Sequence, residues 1–481
     1  MKNNPIHFGT DGWRGFLDSE MNKNSVSLVA QAFADYLSSK ISKESPSCVI
    51  GYDTRRYSKV FAELFAEILS GNGIDTFLSD RVVPTPVVSF TVKERGLHAG
   101  VMITASHNPP TYNGVKFKGP YGGPFLTEET LKVEKNLGKS PIKRSKINVK
   151  QVNLLPDYMA RLEELIDFSL IQEAGISCAV DSMHGAGGTL LTTLLNTHKC
   201  KVYGIAETYK EDFGGRLAEP IEKNLGPLQD FLSNHRDVSL GVATDGDADR
   251  LGVMMNNGIW LSAQDTILYL TDYLVCTKKI PGALVKTASV TDKLRLFERD
   301  YDRLLFEVQV GFKYITEKML ELPVAFGAEE SGGFGYGIHM PERDGIFSAL
   351  LFLEMIAASG FTFLSDYMIY SQKKYGKIYY DRIDSLCDVP NRLDVLPALY
   401  KTHVTKIGPY VVKNIQPYIS SQAIINGIKF RLDGTCRWLL LRASDTEPLM
   451  RVYAEGESDD EVTLLLQKGV NLIYTYAGVH S

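Results

Sequence analysis

Residues 99–110 read AGVMITASHNPP, an apolar run that ends at a serine, a histidine and two prolines. The apolar run is typical of a short buried strand, and the prolines cannot continue regular structure. Ser106 at this point is either an ordinary turn serine or an exposed hydroxyl that could carry a phosphoryl group. The stretch alone leaves both interpretations open. The stretch does define a structural unit, a strand that ends in a polar loop.

This strand-to-loop unit recurs twice. Residues 239–250 read SLGVATDGDADR, and residues 322–333 read LPVAFGAEESGG. Amphipathic segments with helical spacing also occur along the chain, such as NSVSLVAQAFADYLSSK at 24–40 and SKVFAELFAEILSGNG at 58–73. The second of these ends at glycines, as helices commonly do. Strands that alternate with helices favour layered α/β domains with largely parallel pairing.

The last ninety or so residues follow a different pattern. Residues 427–444, GIKFRLDGTCRWLLLRAS, predict a hairpin on the Asp433-Gly434 turn. A further strand, MRVYAEG, follows at 450–456, and a closing helix with acidic residues at its start covers 459–477. This order predicts an α+β module at the end of the chain.

Length and charge limit the class of protein. The chain has 481 residues, which suggests about three or four domains. A net charge of -5 argues against a nucleic-acid-binding protein, which would show a basic surplus. The longest apolar region, 349–364, is interrupted by Glu354 and a glycine, so it is not expected to span a membrane. With no apolar segment of signal-peptide type at the N-terminus, we expect a cytoplasmic protein.

The six cysteines lie far apart and form no C-x-x-C pair. In a chain of this length, reduced and mostly buried thiols are favoured over a zinc site or a disulfide framework.

The loop after residue 244 has the sharpest chemical pattern. Asp245, Asp247 and Asp249 alternate at the end of an apolar strand. Carboxylates so close together repel one another unless a cation neutralises them, and oxygen ligands select a hard cation such as Mg²⁺. A calcium-binding EF-hand is rejected because Arg250 and Asn256 replace the glycine and glutamate that it requires. A solvated acidic turn is the remaining alternative.

The loop at 327–333, GAEESGG, suits a sugar. Glu329 and Ser331 alternate, so both side chains could face the same side, where a carboxylate and a hydroxyl match vicinal sugar hydroxyls. Glycines let the backbone approach a ligand closely. A plain glycine turn explains the stretch equally well.

The loop at 442–448, RASDTEP, suits a phosphate. Arg442, Ser444 and Thr446 alternate at a strand end, and a guanidinium with two hydroxyls can cradle phosphate oxygens. A polar loop after a strand is the alternative.

Taken together, these loops resemble one family. The stretches TASHNPPTYNGVKFK, DGDADR, GAEESGG and RASDTEP are similar, in order and spacing, to the signatures of the α-D-phosphohexomutases, the phosphoglucomutase/phosphomannomutase superfamily. FGTDGWRG, GYDTRRYS, VPTPVVSF and VGFKYI are further matches, so the resemblance covers nearly the whole chain.

The resemblance implies an α/β fold class: three related α/β mixed-sheet domains plus a C-terminal α+β domain around a central cleft. We expect these domains at residues 1–150, 151–260, 261–380 and 381–481, with one functional loop in each. Polar linker candidates lie at 136–151, 278–282 and 388–397.

The resemblance also implies a role for each matching residue. Ser106 would be the phosphoserine that gives and takes back a phosphoryl group, and Asp245, Asp247 and Asp249 would bind one Mg²⁺ per subunit together with the Ser106 phosphate. The other matches would surround the reacting phosphate (Arg14, His107, Lys116 and Arg250), face the sugar (Lys313, Glu329 and Ser331) or hold the second phosphate (Arg442, Ser444, Thr446 and Arg451).

Two residues depart from the usual family pattern. Gly333 stands where the sugar loop often has a histidine, in E-x-S-G-H, and Asp445 stands where the phosphate loop usually has glycine or asparagine. Asp445 lies among the substrate-binding residues, and its carboxylate should weaken phosphate binding unless it points away.

The implied reaction interconverts hexose 1-phosphate and hexose 6-phosphate through a bound 1,6-bisphosphate. Glucose and mannose are the expected sugars, with glucose 1,6-bisphosphate as activator and a monomer or homodimer as the assembly. A phosphoglucosamine mutase, or a catalytically silent relative that binds sugar phosphates, are the alternatives. The sequence pattern gives no nucleic-acid or membrane partner.

Overall fold

The computed structural model describes residues 6–9, 11–41, 45–387, 389, 392–420, 424–444 and 449–478. Within these residues the chain forms three mixed β-sheets and one antiparallel sheet, with helices packed against them. The predicted fold class is confirmed.

The first sheet contains six strands: β1 (Trp13–Phe16), β2 (Ser47–Tyr52), β3 (Asp75–Ser79), β4 (Ala99–Ile103), β5 (Tyr112–Lys118) and β6 (Val149–Val152). Four helices accompany it: α1 (Lys23–Lys40), α2 (Ser58–Gly71), α3 (Thr85–Glu94) and α4 (Thr127–Lys135). The strand order is β1-β5-β4-β2-β3-β6. Helix α1 begins at a reciprocal cap, in which Asn22 and Ser25 each accept a backbone N–H from the other.

The second sheet contains five strands in the order β11-β10-β9-β7-β8. Their bounds are β7 (Ser177–Asp181), β8 (Lys201–Ile205), β9 (Leu240–Thr244), β10 (Leu251–Met255) and β11 (Trp260–Leu261). Its helices are α5 (Leu155–Leu165), α6 (Phe168–Glu173), α7 (Leu190–Thr197) and α8 (Gly226–Asn234), with 3-10 turns at Phe213–Gly215 and Glu222–Asn224.

The third sheet contains four strands in the order β13-β12-β14-β15. Their bounds are β12 (Ala283–Thr287), β13 (Leu305–Val308), β14 (Val324–Ala328) and β15 (Phe334–Tyr336). The helices are α9 (Ala263–Asp272), α10 (Arg295–Tyr301), α11 (Phe312–Glu321), α12 (Gly345–Ser359) and α13 (Leu364–Tyr375), with a π-helical turn at Tyr273–Thr277 and a 3-10 turn at Asp292–Leu294. Asp344 caps α12 by accepting the Phe347 N–H, and Gly360 ends it in a left-handed conformation.

The fourth sheet is antiparallel and has the order β16-β21-β20-β19-β18-β17. Its strands are β16 (Tyr379–Leu386), β17 (Lys406–Ile407), β18 (Tyr410–Ile419), β19 (Ile425–Leu432), β20 (Trp438–Ala443) and β21 (Leu449–Gly456). A 3-10 turn at Arg392–Asp394 and the helices α14 (Val395–Tyr400) and α15 (Asp459–Ala477) complete this part. The predicted hairpin through Asp433-Gly434 is confirmed as β19 and β20.

The three mixed sheets share one strand arrangement. In each, a central strand (β2, β7 or β12) pairs in parallel with a neighbour on either side. One of those neighbours (β4, β9 or β14) then pairs antiparallel with the strand that follows it in the chain. The connecting loops therefore occupy equivalent places at the carboxyl ends of parallel strands, where open α/β sheets bind ligands.

Hydrophobic packing joins the first three sheets. One core cluster contains Val88 of α3, Leu162 of α5, Val242 of β9, Phe326 of β14 and Leu351 of α12. The fourth sheet has a separate core under α14 and α15. Because the shared core fixes the first three sheets against one another, the loops at their edges have defined relative positions.

The expected domain boundaries at 150, 260 and 380 each fall inside a strand, in β6, β11 and β16 respectively. The linker expected at 136–151 enters β6, and the one expected at 388–397 reaches into α14. The exact borders of the four expected domains therefore remain a prediction.

No single helix among the described residues is long and apolar enough to cross a membrane. By length and composition, α12 and α13 pass that test only as a pair, which is bent by 75°.

Candidate functional site

Ser106 lies in the loop between β4 and β5, residues 104–111, here called the serine loop. Its backbone has φ 53°, in the left-handed region that a non-glycine residue seldom adopts. Thr104 Oγ1 accepts the Ser106 N–H at 2.8 Å, and Ser106 Oγ donates to Asp245 Oδ2 at 2.8 Å. The residue is fully buried, so of the two interpretations that the sequence leaves open, an exposed hydroxyl does not describe this structure.

Arg55 fixes the serine loop by hydrogen bonds to its backbone. Its buried guanidinium donates to the backbone carbonyls of three loop residues, Ser106 (2.5 Å), Asn108 (2.6 Å) and Pro109 (2.8 Å), and to that of Tyr112 (3.0 Å) at the start of β5. Asp53 pairs with Arg55 at 3.2 Å and also accepts the Thr104 hydroxyl at 2.6 Å. The buried Asp53–Arg55 pair therefore fixes the left-handed backbone of Ser106.

The acidic loop, residues 245–250, follows β9. Asp245, Asp247 and Asp249 are fully buried, and one carboxylate oxygen of each lies within 4.8 Å of the others. Burial, and then the two neighbouring carboxylates, raise the pKa of Asp245 well above its usual range. Thr85 at the start of α3 fixes the loop by donating its N–H to the Asp247 carbonyl at 2.9 Å.

These carboxylates fit a divalent cation. Asp247 Oδ1 and Asp249 Oδ1 are buried and accept no hydrogen bond from any residue that the structure describes. Buried carboxylate oxygens without a donor are costly, and a hard cation satisfies them. The donor set, three carboxylates beside a serine hydroxyl, is of the all-oxygen type that Mg²⁺ takes.

Lys116 on β5 reaches across to the acidic loop. Its ammonium lies 2.8 Å from Asp247 Oδ2, 3.1 Å from Asp249 Oδ2 and 3.0 Å from Asp11 Oδ2. Although burial opposes it, the attraction of Asp11 and then of Asp247 raises the pKa of Lys116. The lysine is therefore a fixed positive charge between the first two sheets.

Three more predicted residues lie around the serine. His107 Nδ1 is 3.4 Å from Ser106 Oγ, and Arg14 donates to Asn108 Oδ1 at 2.5 Å. Burial, followed by the charges of Arg250 and Arg14, lowers the pKa of His107 well below its usual range. Arg250 Nε stands 4.0 Å from Asp245 Oδ2. Arg14, His107 and Arg250 thus lie close to Ser106, together with the carboxylates of the acidic loop.

The glycine loop, residues 329–333 between β14 and β15, packs against the end of the acidic loop, where Arg250 and Gly333 form a β-bridge. The Leu251 N–H donates to the Gly332 carbonyl at 2.9 Å. Gly332 has φ +83°, and a Cβ there would lie 2.4 Å from the Leu251 carbonyl oxygen, so glycine is required. Glu329 is buried, and burial raises its pKa to about 7. Ser331 is half-buried in the same loop.

Arg343 joins three parts of the site. Its guanidinium lies 2.6 Å from Asp11 Oδ2, 2.7 Å from Asp249 Oδ2 and 3.5 Å from Glu329 Oε2. The side chain is 7% exposed. Sequence analysis did not single out this residue, because it sits in a short turn before α12 with no motif of its own.

Lys313 occupies the first turn of α11, where its ammonium lies over the Tyr314 ring at 5.0 Å. The neighbouring Phe312 ring lies 5.7 Å from the Arg343 guanidinium. This turn is therefore adjacent to the glycine-loop side of the site.

The fourth loop connects β20 and β21. Arg442 and Arg451 are directly opposite each other across these strands. Like charges at such positions repel, and the Asp384 carboxylate lies 3.7 Å from Arg451 Nε. Arg392 donates to the backbone carbonyls of Ser444 (2.7 Å) and Leu449 (3.2 Å), which are the two ends of the loop. Predicted residues Asp445 and Thr446 lie outside the described residues.

A hydrogen bond joins the fourth sheet to the third: the Asp292 N–H donates to Glu455 Oε2 on β21 at 2.9 Å. Burial first, and then the Glu330 carboxylate, raise the pKa of Tyr453 on β21. The serine loop contacts the acidic loop through the Ser106–Asp245 hydrogen bond, and the acidic loop contacts the glycine loop at the Arg250–Gly333 bridge.

Several residues of the site escaped the sequence analysis: Asp11, Arg55, Thr85, Asn108 and Arg343. These residues except Arg343 lie within the stretches FGTDGWRG, GYDTRRYS, VPTPVVSF and TASHNPPTYNGVKFK, where a polar residue directly beside glycine or proline was the available signal for Asp11, Thr85 and Asn108. Their partners are far away in the chain, so no spacing rule identifies them.

The chain matches the domains of one known family along nearly its whole length. It matches the phosphoglucomutase/phosphomannomutase alpha/beta/alpha domain I at residues 5–141, domain II at 156–258 and domain III at 263–375. The C-terminal domain of the same family matches at 387–471.

Similar proteins align with this chain along nearly their full lengths. A phosphoglucomutase/phosphomannomutase of Thermococcus kodakarensis is 27% identical over 97% of this chain and 98% of its own. A phosphoglucosamine mutase of Methanocaldococcus jannaschii is 29% identical over 90% and 93%. A crystal structure from Thermus thermophilus, described as a candidate phosphomannomutase, has TM-score 0.84 and 31% identity over 98% of this chain and 99% of its own.

Proposed function

Because the chain belongs to the phosphoglucomutase/phosphomannomutase family of α-D-phosphohexomutases, we propose that it interconverts hexose 1-phosphate and hexose 6-phosphate. The family consists of isomerases that transfer a phosphoryl group, so the chain is an enzyme of that class. The observation that carries the proposal is the 2.8 Å hydrogen bond from Ser106 Oγ to Asp245 Oδ2. It joins a hydroxyl nucleophile to the acidic cluster that suits a phosphate-binding cation.

In the proposed reaction, Ser106 starts as a phosphoserine. The P–Oγ bond breaks as the phosphorus bonds to the free hydroxyl oxygen of a bound hexose monophosphate, and that hydroxyl proton ends on Ser106 Oγ. His107 Nδ1 lies 3.4 Å from this oxygen and would hold the proton in between. The bound 1,6-bisphosphate then turns over and returns its other phosphoryl group to the serine.

Electrostatics support the transfer. Asp245, Asp247 and Asp249 would hold Mg²⁺, which when bound neutralises phosphate oxygens. Lys116 is a fixed positive charge 2.8 Å from Asp247 Oδ2, and Arg14 lies beside the serine loop. Phosphoryl transfer needs mainly such positioning and charge, since the protein does little covalent chemistry itself.

The two ends of the sugar would be held by separate loops. Glu329 and Ser331 would accept and donate hydrogen bonds at sugar hydroxyls, with Lys313 on the adjacent turn. Arg442, Ser444, Thr446 and Arg451 would surround the phosphate that is not being transferred. One cradle then serves both the 1- and the 6-phosphate, since the intermediate presents either end to Ser106.

Glucose and mannose are the proposed sugars. A second candidate is glucosamine, supported by the phosphoglucosamine mutase relative. Assays of glucose, mannose and glucosamine 1-phosphates side by side, with Mg²⁺ and glucose 1,6-bisphosphate as activator, distinguish them. Turnover of none of the three, with retained binding, would instead identify a silent sugar-phosphate-binding protein.

A further inference from the structure

The glycine at position 333 is required by space and not by backbone conformation. Gly333 has no positive φ, so its backbone accepts any residue. A Cβ built on it would lie 2.4 Å from Arg343 Cδ and 3.1 Å from Arg343 Cγ. Real Cβ atoms essentially never lie within 3.0 Å of another atom, so the first contact is a clash. The volume that a side chain at 333 would take is therefore occupied by the stem of Arg343.

Arg343 has little freedom to leave that volume, because the residues on both sides of it are buried and bonded. Glu342 pairs with Lys118 of β5 at 2.5 Å and accepts the Ser89 hydroxyl at 2.8 Å. Asp344 caps α12 and accepts the Tyr158 hydroxyl at 2.9 Å. These bonds fix the backbone from which the arginine side chain extends.

Carboxylates also hold the guanidinium of Arg343 in place. Its guanidinium pairs with Asp11 and Asp249 at 2.6 and 2.7 Å, and it faces Glu329 Oε2 at 3.5 Å. The carboxylate of Glu329 is buried and therefore needs a charged partner to remain ionised in place. One arginine thus links the acidic loop to the glycine loop.

We propose that Arg343 is the positioning residue for Glu329, and that glycine at position 333 admits its side chain to the site. A Cβ at position 333 would lie 3.4 Å from Glu329 Oε2, so a side chain there could contact Glu329. In this chain the side chain of Arg343 occupies that space instead. This inference rests on the proposed function, because it assigns Glu329 to the sugar.

The test is a four-variant cycle: the wild type, Gly333→His, Arg343→Ala and the double variant. Each is measured for melting temperature without ligand and for kcat and KM with glucose 1-phosphate. Gly333→His should lower the melting temperature and raise KM at least tenfold. In the Arg343→Ala background the same histidine should cost little stability, and KM should fall below that of Arg343→Ala alone, because the imidazole can then reach Glu329.

Arg437→Ala is the matched control. Arg437 is 9% exposed and pairs with Glu461 at 2.9 Å in the C-terminal part of the chain. Its loss should lower the melting temperature, but the effect of Gly333→His should be the same with and without it. This separates a shared space from general destabilisation.

Equal costs of Gly333→His with and without Arg343 would overturn the proposal, as would an unchanged KM in Arg343→Ala. If Arg343→Ala does not fold, a crystal structure of Gly333→Ala decides: Arg343 and Glu329 should both be displaced, and unmoved side chains would contradict us. A wild type that turns over no hexose phosphate would contradict the proposed function alone, since the melting cycle does not depend on turnover.

Discussion

Ser106 Oγ donates a 2.8 Å hydrogen bond to Asp245 Oδ2, although the two residues are 139 positions apart and belong to different sheets. Both side chains are fully buried. The hydroxyl on which the proposed chemistry depends is thus held by the loop of the neighbouring sheet. Packing between the two sheets is therefore a condition for the role that we propose for the serine.

Replacing Ser106 with alanine should abolish mutase activity while the fold survives, because the substitution removes one hydroxyl and no large packing group. Intact-mass spectrometry after incubation with glucose 1,6-bisphosphate should show a phosphate adduct on the wild type and none on Ser106→Ala. An adduct of equal abundance on the variant would place the phosphorylated residue elsewhere.

Removing the cation should stop turnover, and adding Mg²⁺ should restore it. Asp247→Asn and Asp249→Asn should each weaken Mg²⁺ binding at least tenfold in calorimetry, because each removes a charged ligand oxygen from the acidic loop. Asp265→Asn is the control, since this carboxylate accepts the hydroxyl of Ser262 at the start of α9, outside the acidic loop. Unchanged Mg²⁺ affinity in both loop variants would contradict the site.

Arg55→Lys should lower kcat at least tenfold with little change in KM. A lysine keeps the charge but cannot donate to four carbonyls, so the serine loop loses its fixed geometry. We also expect a loss of about 1–3 kcal/mol in unfolding free energy, because buried backbone carbonyls are left without a donor. The neighbouring Arg56, whose side chain is 46% exposed, supplies the control Arg56→Lys, which should leave kcat unchanged.

Binding of glucose 1-phosphate should strengthen as pH rises through about 7, the pKa to which burial raises Glu329. Above that pH the carboxylate is ionised and accepts hydrogen bonds from sugar hydroxyls more strongly. Calorimetry on Ser106→Ala, which isolates binding, measures the effect. Glu329→Gln in the same background removes this titration and leaves that of the substrate phosphate, so identical pH profiles would count against the role of Glu329.

The same titration of Glu329 should also be visible in stability. The folded pKa of Glu329 lies above its unfolded value, so the native state binds more protons between about 4.3 and 7. Stability contributed by this group is therefore present at low pH and lost as pH rises to 7. Denaturant titrations should show that decline in the wild type and a shallower one in Glu329→Gln.

Arg442→Lys should raise KM for both the 1- and the 6-phosphate, because a lysine keeps the charge but loses the planar fork that binds phosphate oxygens in pairs. Steady-state kinetics in both directions provide the measurement. Asp445→Gly is the companion variant: tighter phosphate binding is expected if the carboxylate crowds the cradle. An unchanged KM in both directions for Arg442→Lys would contradict a shared cradle.

Local features could be predicted well from the sequence. The strands that end at Ser106, Asp245 and Glu329 were identified because an apolar run and the polar residues that end it are neighbours in the chain. The hairpin at Asp433-Gly434 follows from turn residues that act within a few positions. The alternation of three aspartates needs no tertiary context to indicate a cation.

The burial of Ser106 could not be predicted in this way. A serine between a strand and two prolines has the pattern of an exposed turn, and only the packing of the second sheet against the first covers it. The departure at Gly333 was visible in the sequence, but its reason, the stem of Arg343 in the same space, was not.

By itself, the sequence determined the alternation of strands and helices, the family and the four loops that carry its motifs, because these depend on residues close together in the chain. The tertiary structure alone decided which groups meet. Arg343 reaches Asp249 across 94 positions and Asp11 across 332, and Arg55 reaches Ser106 across 51. Such contacts are set by how the sheets pack on their shared core, and no local spacing carries that information.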